Sequence, residues 1–195
     1  MIKSICVFAS SCDFLEKSYY QEAEELGKLI AKEKWDMVYG GSCLGLMWAC
    51  AKEVKNAGAK LIGIMPKRLK ELDVHSDYCD EFHVTECMRT RKKMMDERSD
   101  ALIALPGGFG TLEELSEMIV QKQLGYNRKA IVILNTNGFY DKMIDFFDEI
   151  IEQKFANQKI KNIYYVAKTP KQAIEYLKNY NPEKNALTEK EIYSR

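Results

Sequence analysis

The sequence predicts a single α/β domain, a doubly wound parallel sheet with helices on both faces. Short apolar runs alternate with amphipathic segments along nearly the whole chain, which is typical of parallel strands joined by crossover helices. A length of 195 residues suits one domain with a full core. No internal repeat, linker or low-complexity stretch divides the chain.

Composition and charge narrow the classes of protein to consider. The formal net charge is zero, whereas a nucleic-acid or membrane-surface binder normally shows a basic excess. No apolar run approaches the ~20 residues that span a bilayer, and Met1 leads directly into an apolar strand without a signal peptide. The six cysteines form no C-x-x-C pair, so we expect reduced thiols, a cytoplasmic location and no metal site.

The first strand–helix–strand unit is predicted at residues 2–39. β-rich apolar runs predict strands at 2–9 and 36–39, and the second of these ends in Gly40 and Gly41. A helix is predicted between them at 17–34, because its apolar residues recur at helical spacing. The inner face of that helix comprises Ala23, Leu26, Leu29 and Ile30.

The next segments continue the alternation. Residues 44–56 read as a helix, because Gly58 follows at the C′ position where a left-handed residue commonly ends a helix. Residues 60–65 are predicted as a third strand that Pro66 stops. Residues 67–80 show no clean period and predict a loop or a short helical turn.

The middle of the chain adds two more strands and two more helices. Residues 81–85 are predicted as a strand, and residues 87–97 as a helix with two methionines on one stripe. The apolar run 101–105 predicts a buried strand. An amphipathic helix is predicted at 112–124, after a turn that holds three glycines.

The last elements end the domain at about residue 180. An apolar strand is predicted at 130–134 and an amphipathic helix at 139–154. A final strand at 163–166 precedes a helix at 170–179, which has proline at its first position. The domain is therefore predicted at residues 1–180, and residues 181–195 are predicted as a loosely held polar C-terminal tail.

Three polar turns follow predicted strands, at residues 9–11, 39–42 and 106–111. In parallel sheets, ligands bind in the crevice outside the carboxyl ends of the strands. We therefore expect one cleft to gather all three turns.

The turn at 106–111 reads Pro-Gly-Gly-Phe-Gly-Thr and joins a buried strand to a helix. Such a junction presents bare backbone N–H groups and the positive end of a helix dipole, which together favour a phosphate group. Glu113 and Glu114 follow directly. A phosphate cradle beside a carboxylate indicates chemistry on a phosphorylated small molecule.

Other interpretations of this turn are weaker or remain open. The glycines could serve only a tight connection that needs φ > 0. No Gly-Lys-Ser/Thr follows, so the turn is not a P-loop. It is also a poor dinucleotide fingerprint, because Glu113 occupies the third glycine position and would repel a pyrophosphate.

Two charged residues are the candidate chemical groups. Glu114 has Thr111 and Met118 on its side of the helix and borders the inner face, whereas Glu113 shares the outer side with Glu117. On the helix 87–97, Arg91 lies on a stripe with Met88, Lys92 and Met95. A guanidinium on an apolar edge needs an anionic partner, which Glu114 or a phosphate could supply. The plainer alternative is a solvated basic helix.

The motifs resemble those of a known family. Residues 106–114 are similar to the P-G-G-x-G-T-x-x-E motif of the Lonely Guy family, nucleoside 5'-monophosphate phosphoribohydrolases that activate cytokinins. Residues 88–92 resemble its M-H-x-R-K motif, with Arg89 in place of histidine. Residues 39–47 resemble its Y-G-G-G-x-x-G-L-M segment, with Ser42 in place of the third glycine. The resemblance covers about residues 2–180.

This resemblance implies a Rossmann-like fold, a homodimer, and a pocket for AMP-like nucleoside 5'-monophosphates without a cofactor. The family's catalytic arginine and glutamate fall on Arg91 and Glu114, its Arg-Lys pair falls on Arg91 and Lys92, and a further acid falls near Asp73. Val120 stands where many members have threonine, at a position that can meet the substrate.

The residues and the resemblance together give the predicted site. Arg91 and Glu114 are predicted to be catalytic. The predicted substrate-binding residues are Ser10, Gly41, Gly45, Asp73, Met88, Arg91, Lys92, Gly107, Gly108, Phe109, Gly110, Thr111, Leu112, Glu113 and Glu114. The alternatives are a nucleotide or molybdenum-cofactor carrier on the same fold, and a nucleotide-controlled sensor.

Overall fold

A computed structural model describes residues 2–185 as seven parallel strands flanked by helices. The strand order is β4-β3-β2-β1-β5-β6-β7. This is the doubly wound Rossmann-like arrangement that the sequence predicts. The strands are β1 (Ser4–Phe8), β2 (Asp36–Tyr39), β3 (Leu61–Pro66), β4 (Glu81–Thr85), β5 (Ala101–Ala104), β6 (Ala130–Leu134) and β7 (Tyr165–Ala167).

Helices connect the strands and cover both faces. They are α1 (Lys17–Lys32), α2 (Gly45–Asn56), α3 (Lys67–Lys70), α4 (Met88–Glu97), α5 (Phe109–Gln123), α6 (Asp141–Glu152), α7 (Pro170–Asn179) and α8 (Pro182–Asn185). One core lies between the sheet and α1, α2 and α7, and a second lies between the sheet and α4, α5 and α6. None of the helices in residues 2–185 is long and apolar enough to cross a membrane.

The chain reverses its winding direction between β1 and β5, which are neighbours in the sheet. Phe8 at the end of β1 pairs with Ala104 at the end of β5. The turns that follow these two strands therefore leave the sheet side by side. This topological switch point is where doubly wound sheets bind ligands.

Most predicted element bounds lie within two residues of the observed ones, but the start of α5 is wrong. The sequence places that start at Leu112, whereas the helix begins at Phe109 with Gly108 as its N-cap. Gly110 and Thr111 therefore belong to the first helical turn. The glycine-rich composition of residues 106–111 predicts a turn, but glycine also tolerates helical backbone angles.

The C-terminal segment is only partly described. Within the predicted tail, residues 182–185 form the short helix α8, and Glu183 of that helix pairs with Arg128 at 3.4 Å. Residues 186–195 of the predicted tail lie outside the described residues. The boundary between domain and tail at residue 180 stays a prediction.

A buried lysine anchors the C-terminal half of α5. Lys122 is 2% exposed. Its ammonium group donates to the Ile163 carbonyl at 2.8 Å and to the Tyr180 hydroxyl at 2.9 Å. Burial lowers the pKa of Lys122 to about 8, because the charged form loses its hydration without gaining a carboxylate.

This lysine gives the stability of the fold a predictable pH dependence. Between pH 8 and 10.5 the unfolded chain keeps the Lys122 proton while the folded chain has released it, so stability rises with pH. We expect the unfolding free energy of the wild type to gain on the order of 2 kcal/mol relative to Lys122→Met over this range. Urea denaturation at several pH values measures the difference.

The exposed Lys93, which has 74% side-chain exposure, provides the control. The Lys93→Met variant should follow the wild-type pH curve, because its charge is solvated in both states. If the curves of unfolding free energy against pH are also parallel for Lys122→Met and the wild type, burial of the ammonium group at position 122 carries no desolvation cost.

Candidate active site

A buried ion pair joins α4 to α5 beneath the carboxyl edge of the sheet. The Arg91 Nη1 atom lies 2.6 Å from the Glu114 Oε1 atom. Both side chains are almost fully buried, with exposures of 6% and 4%. The structure thus brings the two predicted catalytic residues into direct contact.

Further contacts fix the Arg91 guanidinium. Its Nε–H donates to the Ile64 carbonyl in β3 at 3.1 Å. Its Nη2 lies directly against Gly40, where any side chain would collide with it. The bare backbone at Gly40 therefore makes the space that the guanidinium occupies. This explains why a glycine is useful directly after β2.

Burial and the Arg91 charge shift the pKa of Glu114 in opposite directions. Desolvation raises the pKa of Glu114 above its ordinary value, and the Arg91 charge opposes this rise without cancelling it. The effect of burial is the larger of the two. A carboxylate with a raised pKa is a better base than a solvated one.

The N-terminus of α5 offers unused backbone amides. The first backbone hydrogen bond of the helix runs from Leu112 N–H to the Gly108 carbonyl, so the amides of Phe109, Gly110 and Thr111 precede the helical ladder. The space beside Gly108 and Gly110 is open. These three N–H groups at the positive end of a 15-residue helix are the candidate anion site.

None of the three glycines of this turn adopts a left-handed backbone, and only Gly107 is needed for close packing. Glycines with positive φ occur elsewhere in residues 2–185, but Gly107, Gly108 and Gly110 are not among them. The alternative of a tight turn that needs φ > 0 is therefore wrong here. Gly107 packs directly on the buried Thr111 side chain, and a methyl group at position 107 would overlap it.

Ser10 ties the three predicted turns together. Its N–H donates to the Pro106 carbonyl at 3.1 Å, and its carbonyl accepts from Met47 N–H at 3.2 Å. Its hydroxyl accepts from Cys12 N–H at 3.0 Å. The turns after β1, β2 and β5 therefore meet at one edge, as the sequence predicts.

Two predicted glycine contacts are already occupied within the protein. The Gly45 N–H donates to the Asp13 carboxylate at 2.7 Å, so this amide does not face a ligand. The Gly41 carbonyl accepts from Ser76 N–H at 2.8 Å, and the loop before β4 covers it. Gly41 and Gly45 thus shape the cleft, and their contact with a substrate stays a prediction.

Lys92 and Glu113 form a second contact between α4 and α5. Lys92 pairs with Glu113 and, at 2.5 Å, with Glu117. Burial lowers the pKa of Lys92, but hydrogen bonds to the two carboxylates outweigh it and raise the pKa overall. The Glu113 side chain is 55% exposed. This pair lies beside the Arg91–Glu114 contact and aligns the same two helices.

The remaining predicted residues take different places. Met88 is 41% exposed on the first turn of α4, and Phe109 is 91% exposed at the first position of α5. Leu112 packs against the second core, and its N–H is used within the helix. Asp73 has 95% side-chain exposure and lies 3.6 Å from His75 in the loop after α3. Among described residues, no contact joins Asp73 to Arg91 or Glu114.

A cavity of about 250 Å³ opens next to the anion site at the switch point. The backbone of Pro106, Gly107 and Gly108 forms one wall. The other walls are formed by Ser10, Leu15, Tyr19 and Phe139. Within residues 2–185, no cluster of three or more His, Cys, Asp or Glu side chains could hold a metal ion.

Three residues that shape this edge were not predicted. Asp13 caps the Gly45 amide, Gly40 accommodates Arg91, and Tyr140 donates to the Leu105 carbonyl at 2.7 Å. Aspartate before a helix start is a capping signal in general, but Asp13 caps a helix that begins 32 residues later. Contacts over such separations leave no local pattern in the sequence.

The fold and the site define a class of protein: a Rossmann-like α/β protein with a buried carboxylate beside a helix N-terminus at the switch point. A model of the family described as "possible lysine decarboxylase" matches residues 47–177. The chain is 39% identical over 188 residues to the probable cytokinin riboside 5'-monophosphate phosphoribohydrolase LOGL6 of Oryza sativa subsp. japonica, covering 96% of this chain and 75% of the relative. The chain belongs to the Lonely Guy (LOG) family, which confirms the predicted resemblance.

Two further comparisons bear on the function. Cytokinin riboside 5'-monophosphate phosphoribohydrolase LOG7 of Arabidopsis thaliana is 35% identical over 191 residues, covering 98% of this chain and 88% of the relative. The solved molybdenum cofactor carrier protein of Chlamydomonas reinhardtii is 27% identical with a TM-score of 0.70, covering 91% of this chain and 97% of the carrier. The sequence relatives are enzymes, and the fold is shared with a carrier.

Proposed function

We propose that this protein hydrolyses the N-glycosidic bond of AMP-like nucleoside 5'-monophosphates, including N6-substituted ones, and releases the free base and ribose 5-phosphate. The observation that carries the proposal is the buried Arg91–Glu114 pair placed one helical turn below three unused backbone amides. Relatives with phosphoribohydrolase names that match 96% and 98% of this chain support it. No metal or other cofactor takes part in this scheme.

Glu114 acts on the sugar. Cleavage of the bond between C1' and the base nitrogen builds positive charge on the ribose ring, and a carboxylate below the ring stabilises it. The same carboxylate orients a water molecule and accepts its proton as the water oxygen bonds to C1'. The departing base keeps the bonding electron pair and takes a proton from the solvent, to which Glu114 afterwards releases the proton that it accepted. The raised pKa of Glu114 suits the role of a base.

Arg91 positions the catalytic carboxylate, and the anion site binds the phosphate group of the substrate. Arg91 bonds to both Glu114 and the Ile64 carbonyl, so it fixes the carboxylate relative to β3. The amides at positions 109–111 and the Thr111 hydroxyl bind the 5'-phosphate. Phosphate binding at a distance from the bond that breaks positions the sugar over Glu114, which gives a physical reason for requiring a monophosphate.

The proposal extends to assembly and location. An apolar groove of about 170 Å³ lies between α5 and α6 and is lined by residues such as Ile119, Val120 and Phe147. Val120 in this lining is 49% exposed. Exposed apolar patches of this kind mark protein–protein contacts, so we include a homodimer. The free cysteines and the neutral charge favour the cytoplasm.

A single assay tests the reaction. The protein is incubated with AMP, N6-isopentenyl-AMP, GMP, CMP and adenosine, and the released base is measured by chromatography. We expect free base from at least one of the two adenine nucleotides and none from adenosine, because adenosine lacks the phosphate that positions the sugar. Release of base from adenosine at the rate seen with AMP would contradict the proposed role of the anion site.

The carrier is the second candidate function, because the Chlamydomonas reinhardtii protein has the same fold over 91% of this chain. A carrier needs the anion site and the cavity, but it does not need a buried carboxylate that accepts a proton. Tight binding of a nucleotide or cofactor with no release of base from any of the five compounds would favour it.

A further inference from the structure

Tyr140 lies beneath the anion-binding turn and contacts it directly. The residue is 1% exposed and follows the loop after β6. Its hydroxyl donates to the Leu105 carbonyl at 2.7 Å. Burial raises the pKa of Tyr140, and a hydrogen bond from the Gly107 backbone moderates the rise. The Tyr140 hydroxyl therefore anchors the Leu105 carbonyl, which belongs to the peptide bond directly before Pro106.

The surrounding residues hold Tyr140 in place. Its N–H donates to the Asn135 side chain at 2.7 Å, and that amide in turn donates to Asp141 at 2.7 Å. The Phe139 ring packs edge-on against the Tyr140 ring, with centroids 4.9 Å apart. Phe139 also lines the cavity beside the turn. The loop after β6 is thus a rigid support for the turn after β5.

The reaction scheme gives Tyr140 no role, although its buried hydroxyl bonds the backbone at the start of the glycine turn. Leu105 and Gly107 flank the bend that aims the amides at positions 109–111. Loss of the hydroxyl would leave a buried carbonyl without a donor and allow the bend to relax. Small displacements of such groups have large effects on ligand positioning.

We infer that Tyr140 is a positioning residue that sets the shape of the Pro106–Gly108 turn and thereby the affinity of the site for a phosphate group. The inference rests on the proposed function, since it concerns the same anion site. It assigns no chemical step to Tyr140. The affected quantity is binding of the phosphate end of the substrate.

The test compares Tyr140→Phe with the wild type in two assays. Binding of ribose 5-phosphate is measured by calorimetry, and AMP hydrolysis is resolved into kcat and KM. We expect Tyr140→Phe to weaken ribose 5-phosphate binding and to raise KM by about tenfold, with kcat changed less than about threefold. A structural defect alone would instead reduce the active fraction and lower kcat at unchanged KM.

Matched variants keep the test decisive. Tyr164→Phe removes a hydroxyl from a half-buried tyrosine that packs on Phe147, away from the turn, and should bind ribose 5-phosphate like the wild type. Asn135→Ala releases the Tyr140 backbone and keeps its hydroxyl, so it should raise KM in the same direction by a smaller factor. If Tyr140→Phe does not fold, the KM of Asn135→Ala tests the positioning role of Tyr140 instead.

The outcomes separate the two proposals. Wild-type-like binding of ribose 5-phosphate by Tyr140→Phe would overturn the inference even if the wild type hydrolyses AMP. If the wild type binds ribose 5-phosphate but releases no base, the hydrolase proposal fails and the binding comparison still decides the role of Tyr140. If the wild type hydrolyses AMP but binds no ribose 5-phosphate, the KM for AMP decides, and an unchanged KM in Tyr140→Phe overturns the inference.

Discussion

Glu114→Gln should lower the turnover of AMP by about 10²–10⁴-fold, the usual contribution of a positioned acid–base group. The substitution keeps the size of the side chain and its contact with Arg91, which now meets an amide oxygen. It removes the negative charge that stabilises the developing cation on the ribose and the basic site for the water proton. Initial rates of adenine release at saturating AMP measure the effect.

Glu113→Gln is the matched control for this experiment. The two glutamates are adjacent, but Glu113 is 55% exposed and faces Lys92, whereas Glu114 is buried against Arg91. We expect Glu113→Gln to retain turnover within about threefold, because the charge of a solvated carboxylate is largely screened. An inactive Glu113→Gln variant beside an active Glu114→Gln variant would reverse the assignment.

The choice between these glutamates shows what a sequence pattern can predict. Helical spacing placed Glu114 on the border of the inner face, next to Thr111 and Met118, and the structure buries all three residues. Spacing fixes which side of a helix faces the core once the helix exists. The same argument put Arg91 on the inner stripe of α4, where it is 5% exposed.

The pattern could not predict how the turn before α5 is built. Three glycines among the six residues 106–111 indicate an unrestricted backbone. The sequence alone does not show whether the glycines are needed for a left-handed φ or for close packing. The structure uses it for packing at Gly107, against Thr111 four residues later. Which of the two applies depends on how close the turn lies to the first turn of α5, and the packing of the whole sheet edge sets that distance.

Lys122 and Tyr140 show a second limit. Lys122 lies in an amphipathic helix where a lysine normally reaches solvent, yet two acceptors from distant segments, Ile163 and Tyr180, enclose its ammonium group. Tyr140 would pass for an ordinary core aromatic residue. In both cases one partner is a backbone carbonyl, and a carbonyl is present at every position in the chain. Side-chain patterns therefore carry no information about it.

The Arg91–Glu114 pair leads to the second large prediction. Arg91→Ala should lower AMP turnover by at least about 10²-fold, as the loss of one preorganised charged donor does in other active sites. It should also destabilise the fold by about 3 kcal/mol, because it leaves the Glu114 carboxylate buried without its partner. The pKa of Glu114, already raised by burial, would rise further without the opposing charge of Arg91, so the base would be protonated over more of the pH range.

Two variants isolate the cause. Arg91→Lys keeps a positive charge but cannot bond Glu114 and the Ile64 carbonyl at once with a planar group, so it should recover stability better than turnover. Arg89→Ala removes an exposed arginine two positions earlier on α4 and should change neither. Thermal unfolding and AMP turnover are compared across the three variants. If Arg91→Ala stays folded and hydrolyses AMP within about threefold of the wild type, the ion pair only supports the structure, and the catalytic group must be sought elsewhere on this edge.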